Sequence, residues 1–472
     1  MTLFAILEAA GLRPLSTNVS RPGSLMGNAS DEGALGVLCF APLFASAVKC
    51  RGVAVSAGAA AAALTTVLSA SRGALVALVA EVVIIAVVLG GRRVIAVCAA
   101  SMVLLTGLTF AVPATRHRVL GNSALAHHTV TGRELLWRET LTLDASHLPL
   151  GVGPSNYKTA IVREHNREWQ QKVGPQNPPD SPHSLPLQAL SAGGVPLLLV
   201  LLALSGLVLW TGGREAWRER GKTPPFEVGV LVALIGYGLC SMVGITSPGP
   251  TVLASVFLGI SLSARTTVAP RRQIGELVIG SALLAITAVF LLAAIAEIPL
   301  RHAILQVSQG NAAEAASDFA AARVLRPWDL DLPDLAAHAF ITYGINARDA
   351  ASISEGAKWL DRVPSTIGRD EQVELDRASL AEAHGDFAAA ERRLTMLLAH
   401  DQDNPAILLQ RGIVRAESGD TAGAETDFLF TTAVVPRDPG PWQNLATVYR
   451  TEGRIDDARR ASAHARELAQ SP

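Results

Sequence analysis

The sequence predicts an all-α protein in two parts. A polytopic transmembrane helical bundle of about eight spans comes first, and an array of helical hairpins outside the bilayer follows. Three observations predict this. Hydrophobic residues make up 49% of the 472 and charged residues 17%, which is too apolar for a soluble chain of this length. The apolar residues are concentrated in blocks between about residues 33 and 298. Beyond that point the composition turns alanine-rich and charged, and glycine recurs with a fixed period.

The N-terminal residues 1–32 lack the ordered basic and apolar regions of a signal peptide. Apolar runs of about bilayer length then fall at 33–48, 53–70, 73–90, 94–112, 187–210, 227–245, 250–264 and 274–298. Basic residues in the short connections set their sidedness. Lys49 and Arg51, Arg92 and Arg93, the run from Arg214 to Lys222, and Arg265 with Arg271 and Arg272 follow alternate spans. They therefore share one face, expected to be the cytoplasmic one. The other face, expected to be the extracytoplasmic one, receives four segments. These are residues 1–32, the Ser71-Arg72-Gly73 turn, the loop 113–186 and everything after residue 298. An N-terminus on that face is normally reached through earlier spans, so the chain is expected to start partway through a longer membrane protein.

After residue 298 the period changes. Gly385, Gly419 and Gly453 are spaced by 34 residues, and Gly310-Asn311 opens a similar unit. An alanine stands five residues after each glycine, at Ala315, Ala390, Ala424 and Ala458. Pro327 and Pro436 fall where the second helix of a pair must stop. This is the spacing of tetratricopeptide repeats, in which small residues let paired helices approach. The pattern is clear over 371–470, present over 296–330 and degenerate over 330–370, where at most one poor repeat is expected. The expected organisation is a segment 1–32, a transmembrane domain 33–298 containing the loop 113–186, and a repeat domain 299–472.

Charge differs between the parts. The first 300 residues hold 22 Lys and Arg against 15 Asp and Glu, whereas the rest holds 18 against 26. Neither part shows the basic, aromatic-interleaved surface that nucleic acid requires. The four cysteines, Cys39, Cys50, Cys98 and Cys240, lie in or beside apolar blocks with no CxxC or Cys/His cluster, so no metal site is expected. No phosphate-binding glycine loop or nucleotide fingerprint occurs, and no cofactor is expected.

What remains is a set of polar residues on one face. Ser20-Arg21-Pro22-Gly23 and Gly27-Asn28 precede the first span, and Ser71-Arg72-Gly73 sits at a turn. The loop carries Gly132-Arg133 to Trp137, then Pro149-Leu150-Gly151-Val152-Gly153-Pro154 with Asn156-Tyr157, and closes on His183-Ser184 and Gln188. Singly, each has an ordinary reading. Arginines flanking spans anchor them by snorkelling, paired glycines set turns, and a loop histidine marks the interface. Glu81 is the clear intramembrane charge, and it faces no obvious partner.

Taken in order, with Gly193-Gly194-Val195-Pro196 after them, these motifs resemble the O-antigen ligase and polymerase family over about residues 20–265. These are bacterial membrane proteins, some with C-terminal tetratricopeptide repeats. The sequence departs from the family's pattern at Ser184, where asparagine is common, and at Pro186. It also lacks a glutamate before Gly194. The resemblance implies metal-independent transfer of a glycan from undecaprenyl diphosphate to an acceptor glycan, lipid or protein. It assigns the diphosphate to Arg21 and Arg133, with Arg72 as a third, and the role of base to His183. His127, His128, His147 and His165 match no motif. The repeats are expected to bind a protein partner or the acceptor. The rival reading is a non-enzymatic membrane-anchored scaffold whose repeats dock envelope proteins.

Overall fold

The structure is a computed structural model, which describes residues 1–10, 12, 28–50, 52–120, 124–174, 179–218, 223–244, 247–263, 273–364 and 370–470. Among these residues every regular element is helical. A short helix, α1 (Thr2–Ala9), precedes α2 (Ala29–Cys50), α3 (Val53–Leu68), α4 (Arg72–Leu89) and α5 (Arg92–Ala111). The long loop holds α6 (Pro113–Val119), α7 (Ala124–Ser146), α8 (Tyr157–Ile161) and α9 (Arg167–Lys172). Apolar helices resume with α10 (Leu185–Arg218), α11 (Pro225–Ser241), α12 (Pro248–Ser263) and α13 (Gln273–Ser308). Then come α14 (Ala312–Leu325), α15 (Leu332–Ala347), α16 (Ala350–Leu360), α17 (Glu371–Ala383) and α18 (Phe387–Leu398). The chain ends with α19 (Pro405–Ser418), α20 (Thr421–Val434), α21 (Pro439–Thr451) and α22 (Ile455–Gln470).

All eight apolar runs are helical, but length and composition qualify only five described helices to cross a bilayer, namely α2, α4, α5, α10 and the Gly280–Ser308 part of α13. The expected count of eight spans is therefore not reached on these criteria. The physical reason is length. Helices α3 and α12 have 16 residues each, about 24 Å at 1.5 Å per residue, against a hydrocarbon core about 30 Å thick.

By compactness the chain divides into two units, Met1–Ile161 with Pro179–Thr267, and Val162–Pro178 with Val268–Pro472. In the first unit α2 lies against α3, α4 and α11. Small residues bring these helices close, as membrane helices need in the absence of a hydrophobic drive. Any side chain at Gly36 would strike the Thr66 hydroxyl, and one at Gly229 would strike the Pro42 backbone. Leu38, Phe44, Leu78, Ile85 and Val232 fill the space between. Outward residues such as Val103 and Leu104, 74% and 70% exposed, face where lipid would be.

The second unit stacks helical hairpins: the end of α13 with α14, then α15/α16, α17/α18, α19/α20 and α21/α22. The periodic glycines Gly310, Gly385, Gly419 and Gly453 all take positive φ, between 75° and 93°, at the turns within hairpins. The following aspartate then caps the next helix: Asp386 accepts from Ala389 N, and Asp420 from Gly423 N. Ala315, Ala390 and Ala424 are fully buried between paired helices. The degenerate stretch also forms a hairpin, α15/α16, with Phe319, Phe340 and Trp359 packed edge to face beneath it. Its turn is made by Arg348 at φ 55°, one helical turn beyond the place the period assigns to glycine. Helix α13 runs unbroken from the last apolar run into the first hairpin.

Candidate functional site

Arg72 is the first residue of α4. It is placed by a tight turn in which Ser69 Oγ donates to Thr66 O at 2.8 Å and accepts from Ser71 N at 3.2 Å. Helix α6 is fixed beside it, because Thr115 Oγ1 donates to the Val67 carbonyl at 2.7 Å. Arg72 Nε then donates to the Arg118 carbonyl at 3.0 Å. From α7, Arg133 reaches the same place. Arg72, Arg118 and Arg133 together line a cavity of about 380 Å³, with Ser30 and Asp31 at the start of α2 and Ser247 before α12.

Three guanidinium groups on one cavity repel one another. Burial, and then Arg118 and Arg72, pull the Arg133 guanidinium below its ordinary range. An arginine stays charged regardless, so the cavity keeps its positive potential. Neither Arg72 nor Arg133 is ion-paired among the described residues.

His183 lies in the turn that precedes α10, at φ 52°, a left-handed conformation uncommon for a residue with a side chain. Its Nδ1 is 3.3 Å from Ser181 Oγ. The preceding carbonyl, Pro182 O, accepts from Trp137 Nε1 at 2.9 Å. Trp137 stands one helical turn after Arg133, so the same helix face orders both candidates. His183 is not among the residues lining the cavity, yet Arg133 acts on it. Burial first and Arg133 second lower the imidazole pKa, while Asp180 opposes them. The ring is therefore neutral at physiological pH, the form a base requires.

The glycine motifs serve packing. Val152 N and Gly153 N donate to Ser191 O at 2.8 and 3.3 Å, and Val195 N donates to Pro149 O at 2.9 Å. Gly194 breaks α10 at φ 63°, ψ −158°, and a Cβ there would collide with the Pro149 carbonyl. A Cβ on Gly151 would collide with Ser191 O. With these amides occupied, the Pro149–Pro154 segment is a clasp on the start of α10 rather than a phosphate cradle. Ser191 Oγ donates in turn to the buried Asp144 Oδ1 at 2.7 Å, and burial pushes the Asp144 carboxyl up. Tyr157 OH meets Thr140 Oγ1 at 2.5 Å.

The structure thus gathers Arg72 and Arg133 and sets His183 near them, while Arg21 lies outside the described residues. Sequence reasoning missed Arg118. A signal existed, since Arg116, His117 and Arg118 crowd the last turn of α6, at the entry to the loop that carries Arg133. Among the described residues no group of three His, Cys, Asp or Glu side chains is placed to hold a metal ion.

Residues 57–202 match the family model described as O-antigen ligase. The chain carries an O-antigen ligase domain. The matched stretch runs from α3 into α10 and holds Arg72, Arg118, Arg133 and His183, and Arg21 precedes it. With the apolar helices, this makes the protein an integral bacterial membrane protein with a glycan-transferring domain of the ligase type. No curated protein matches the chain. Among solved structures it is similar to MamA of strain MSR-1 at 15% identity, over 37% of this chain and 97% of that one, with a TM-score of 0.30. A tetratricopeptide repeat protein from Parabacteroides merdae matches at 13% identity over 56% and 93%, with a TM-score of 0.29. Yeast Tom70 matches at 11% identity over 94% and 93%, with a TM-score of 0.31.

Proposed function

We propose that this O-antigen ligase domain moves a glycan from undecaprenyl diphosphate to an acceptor hydroxyl on the extracytoplasmic face of the inner membrane. The observation that carries the reading is the cavity on which Arg72, Arg118 and Arg133 converge, with no carboxylate ion-paired to Arg72 or Arg133 among the described residues. A diphosphate supplies the missing counter-charge, and guanidinium forks bond its oxygens two at a time. As the bond from the anomeric carbon to the diphosphate breaks, charge grows on the leaving oxygen. Preorganised cations stabilise that charge more than they stabilise the ground state. The acceptor oxygen forms the new glycosidic bond and its proton passes to neutral His183. The resemblance also assigns Arg21, which lies outside the described residues, to the diphosphate. No metal takes part, because the carrier already provides a good leaving group. The repeat domain presents the acceptor or a protein partner.

The test is turnover of undecaprenyl-diphosphate-linked glycan by the full chain in liposomes. His183→Ala should lower turnover on the order of a hundredfold or more at an unchanged protein level. Arg133→Lys should also be impaired, since a point charge cannot reproduce the fork. A wild-type chain that leaves the lipid-linked glycan intact would reduce the protein to a scaffold. Labelling of Asp420→Cys by an impermeant thiol reagent in intact spheroplasts checks the side of the repeats.

A further inference from the structure

The wall of the arginine cavity also carries a carboxylate. Asp31 lines it from the first turn of α2, half-buried, with Ser247 beside it. That turn is fixed against the one bearing Arg72, because a side chain at Gly33 would strike the Ser69 hydroxyl and the Ala74 methyl. No ion pair joins Asp31 to an arginine among the described residues. Nor does its charge relieve the cluster. Burial first, and then Arg118 and Arg72, still hold the Arg133 guanidinium below its ordinary range. Two further hydroxyls on the wall are engaged within the protein. Tyr237 OH meets Thr251 Oγ1 at 2.7 Å, and Ser241 Oγ donates to the Tyr237 carbonyl at 2.9 Å. The Asp31 carboxylate is left facing the space a ligand would fill.

A carboxylate is a poor neighbour for a bare diphosphate. A unit charge about 4 Å away changes an affinity on the order of fivefold even in bulk water, and more where burial lowers the dielectric. A sugar on the diphosphate reverses the balance. Its hydroxyls donate hydrogen bonds, and one given to a carboxylate is about twice as strong as one between neutral groups. Positive charge also develops at the anomeric carbon as its bond to the diphosphate breaks. A carboxylate on the sugar's side of that bond stabilises this charge, while the guanidinium groups stabilise the leaving oxygen. After transfer the sugar is gone and the diphosphate carries more negative charge. Asp31 then repels the spent carrier at the stage when it must leave.

We propose that Asp31 accepts a hydrogen bond from a hydroxyl of the sugar attached to the diphosphate, and so favours the loaded carrier over the spent one. This rests on the reading of the cavity as the site of the carrier diphosphate. The ligand the cavity selects is then a sugar ester of the diphosphate, with the sugar directed toward α2.

The experiment measures the affinity of the full chain in nanodiscs for two ligands, undecaprenyl diphosphate and undecaprenyl-diphosphate-linked glycan, with no acceptor present. Asp31→Ala should bind the glycan-linked carrier on the order of tenfold more weakly and the bare carrier on the order of fivefold more tightly. The opposite signs are decisive, since a damaged fold weakens both ligands and a lost charge alone tightens both. Asp31→Asn keeps the shape and a neutral acceptor, and serves should Asp31→Ala not fold. It should tighten the bare carrier equally, and the preference for the loaded carrier should still drop on the order of fivefold. Shifts of the same sign for the two ligands in Asp31→Ala would overturn the proposal. So would an unchanged preference in both variants. Arg133→Lys separates this role from the reading beneath it. If Arg133→Lys weakens both ligands while the Asp31 variants treat them alike, the diphosphate site stands and the role of Asp31 falls. If the wild type binds neither ligand, both fall together.

Discussion

Trp137 Nε1 donates to the carbonyl oxygen of Pro182 at 2.9 Å, joining α7 to the residue immediately before His183. This bond fixes the peptide that leads into a left-handed histidine. Trp137→Phe keeps most of the ring's packing and removes the donor, leaving a buried carbonyl unpaired at a cost of about 1–3 kcal/mol. The expected outcome is a kcat lowered on the order of tenfold with little change in KM for the carrier-linked glycan. Steady-state kinetics in liposomes checks it. A change in KM alone would place Trp137 in substrate binding instead.

The pH dependence follows from the same neighbourhood. Burial first and Arg133 second hold the His183 pKa below its ordinary value of 6.5. A base with a lowered pKa keeps its neutral form to lower pH, so the acid limb of the kcat profile should lie below 6.5. Asp180 opposes the shift, and Asp180→Asn should move the limb further toward acid. The same shift makes the folded state bind a proton less readily than the unfolded one. The stability it contributes is present above the ordinary pKa and is lost as pH falls through the folded one. A limb that moves toward alkali in Asp180→Asn would contradict the assignment of His183 as the titrating group.

Much of this was legible in the sequence, and what was not has physical reasons. Apolar runs became helices because composition alone decides that in lipid, but the crossing number was not legible, since short helices such as α3 do not declare their role. Glycines marked four hairpin turns, at Gly310, Gly385, Gly419 and Gly453. The hairpin α15/α16 was obscured because Arg348 takes that conformation without being glycine. Arginines that the charge pattern assigns to one face converge because sidedness collects helix ends, which is how Arg72 and Arg133 could be paired in advance. Arg118 was hidden as one of several basic residues in a short helix. The Gly151 and Gly194 motifs read equally as turns or phosphate loops until the Ser191 and Pro149 carbonyls appeared opposite them. The bond from Gln170 to Asp401 crosses 231 residues, and no local pattern announces a contact of that span.

Gly194 permits a direct test of the clasp. Its φ of 63° with ψ of −158° is a region open essentially to glycine, and the Pro149 carbonyl occupies the space of a side chain. Gly194→Ala should cost about 1–3 kcal/mol in backbone strain and a further loss from displacing the Pro149–Pro154 segment. Thermal unfolding in detergent, followed by Trp fluorescence, should show a lowered midpoint. Transfer should fall as well, since α10 begins at the residues that follow His183. An unchanged midpoint would mean that the segment repacks freely.

In the array, Asp427 is 2% exposed and bound by two arginines. Arg411 Nη2 and Nε reach its two oxygens at 2.7 and 2.9 Å, and Arg415 Nη1 lies 3.0 Å from Oδ2. Arg415 Nε also bonds Glu391 at 2.8 Å, so the cluster ties α19 to both α20 and α18. Removing the central carboxylate strands Arg411 and leaves Arg415 with Glu391 in a half-buried site, an effect that costs about 3–5 kcal/mol when partners are buried. Arg411 and Arg415 keep some solvent contact, so Asp427→Ala should fall at the lower end of that range. Repeat arrays are stabilised hairpin by hairpin, so the loss should stay local. Hydrogen exchange should rise in α19 and α20 and much less in α15 and α16. A global loss of protection would show instead that the array unfolds as a single cooperative body.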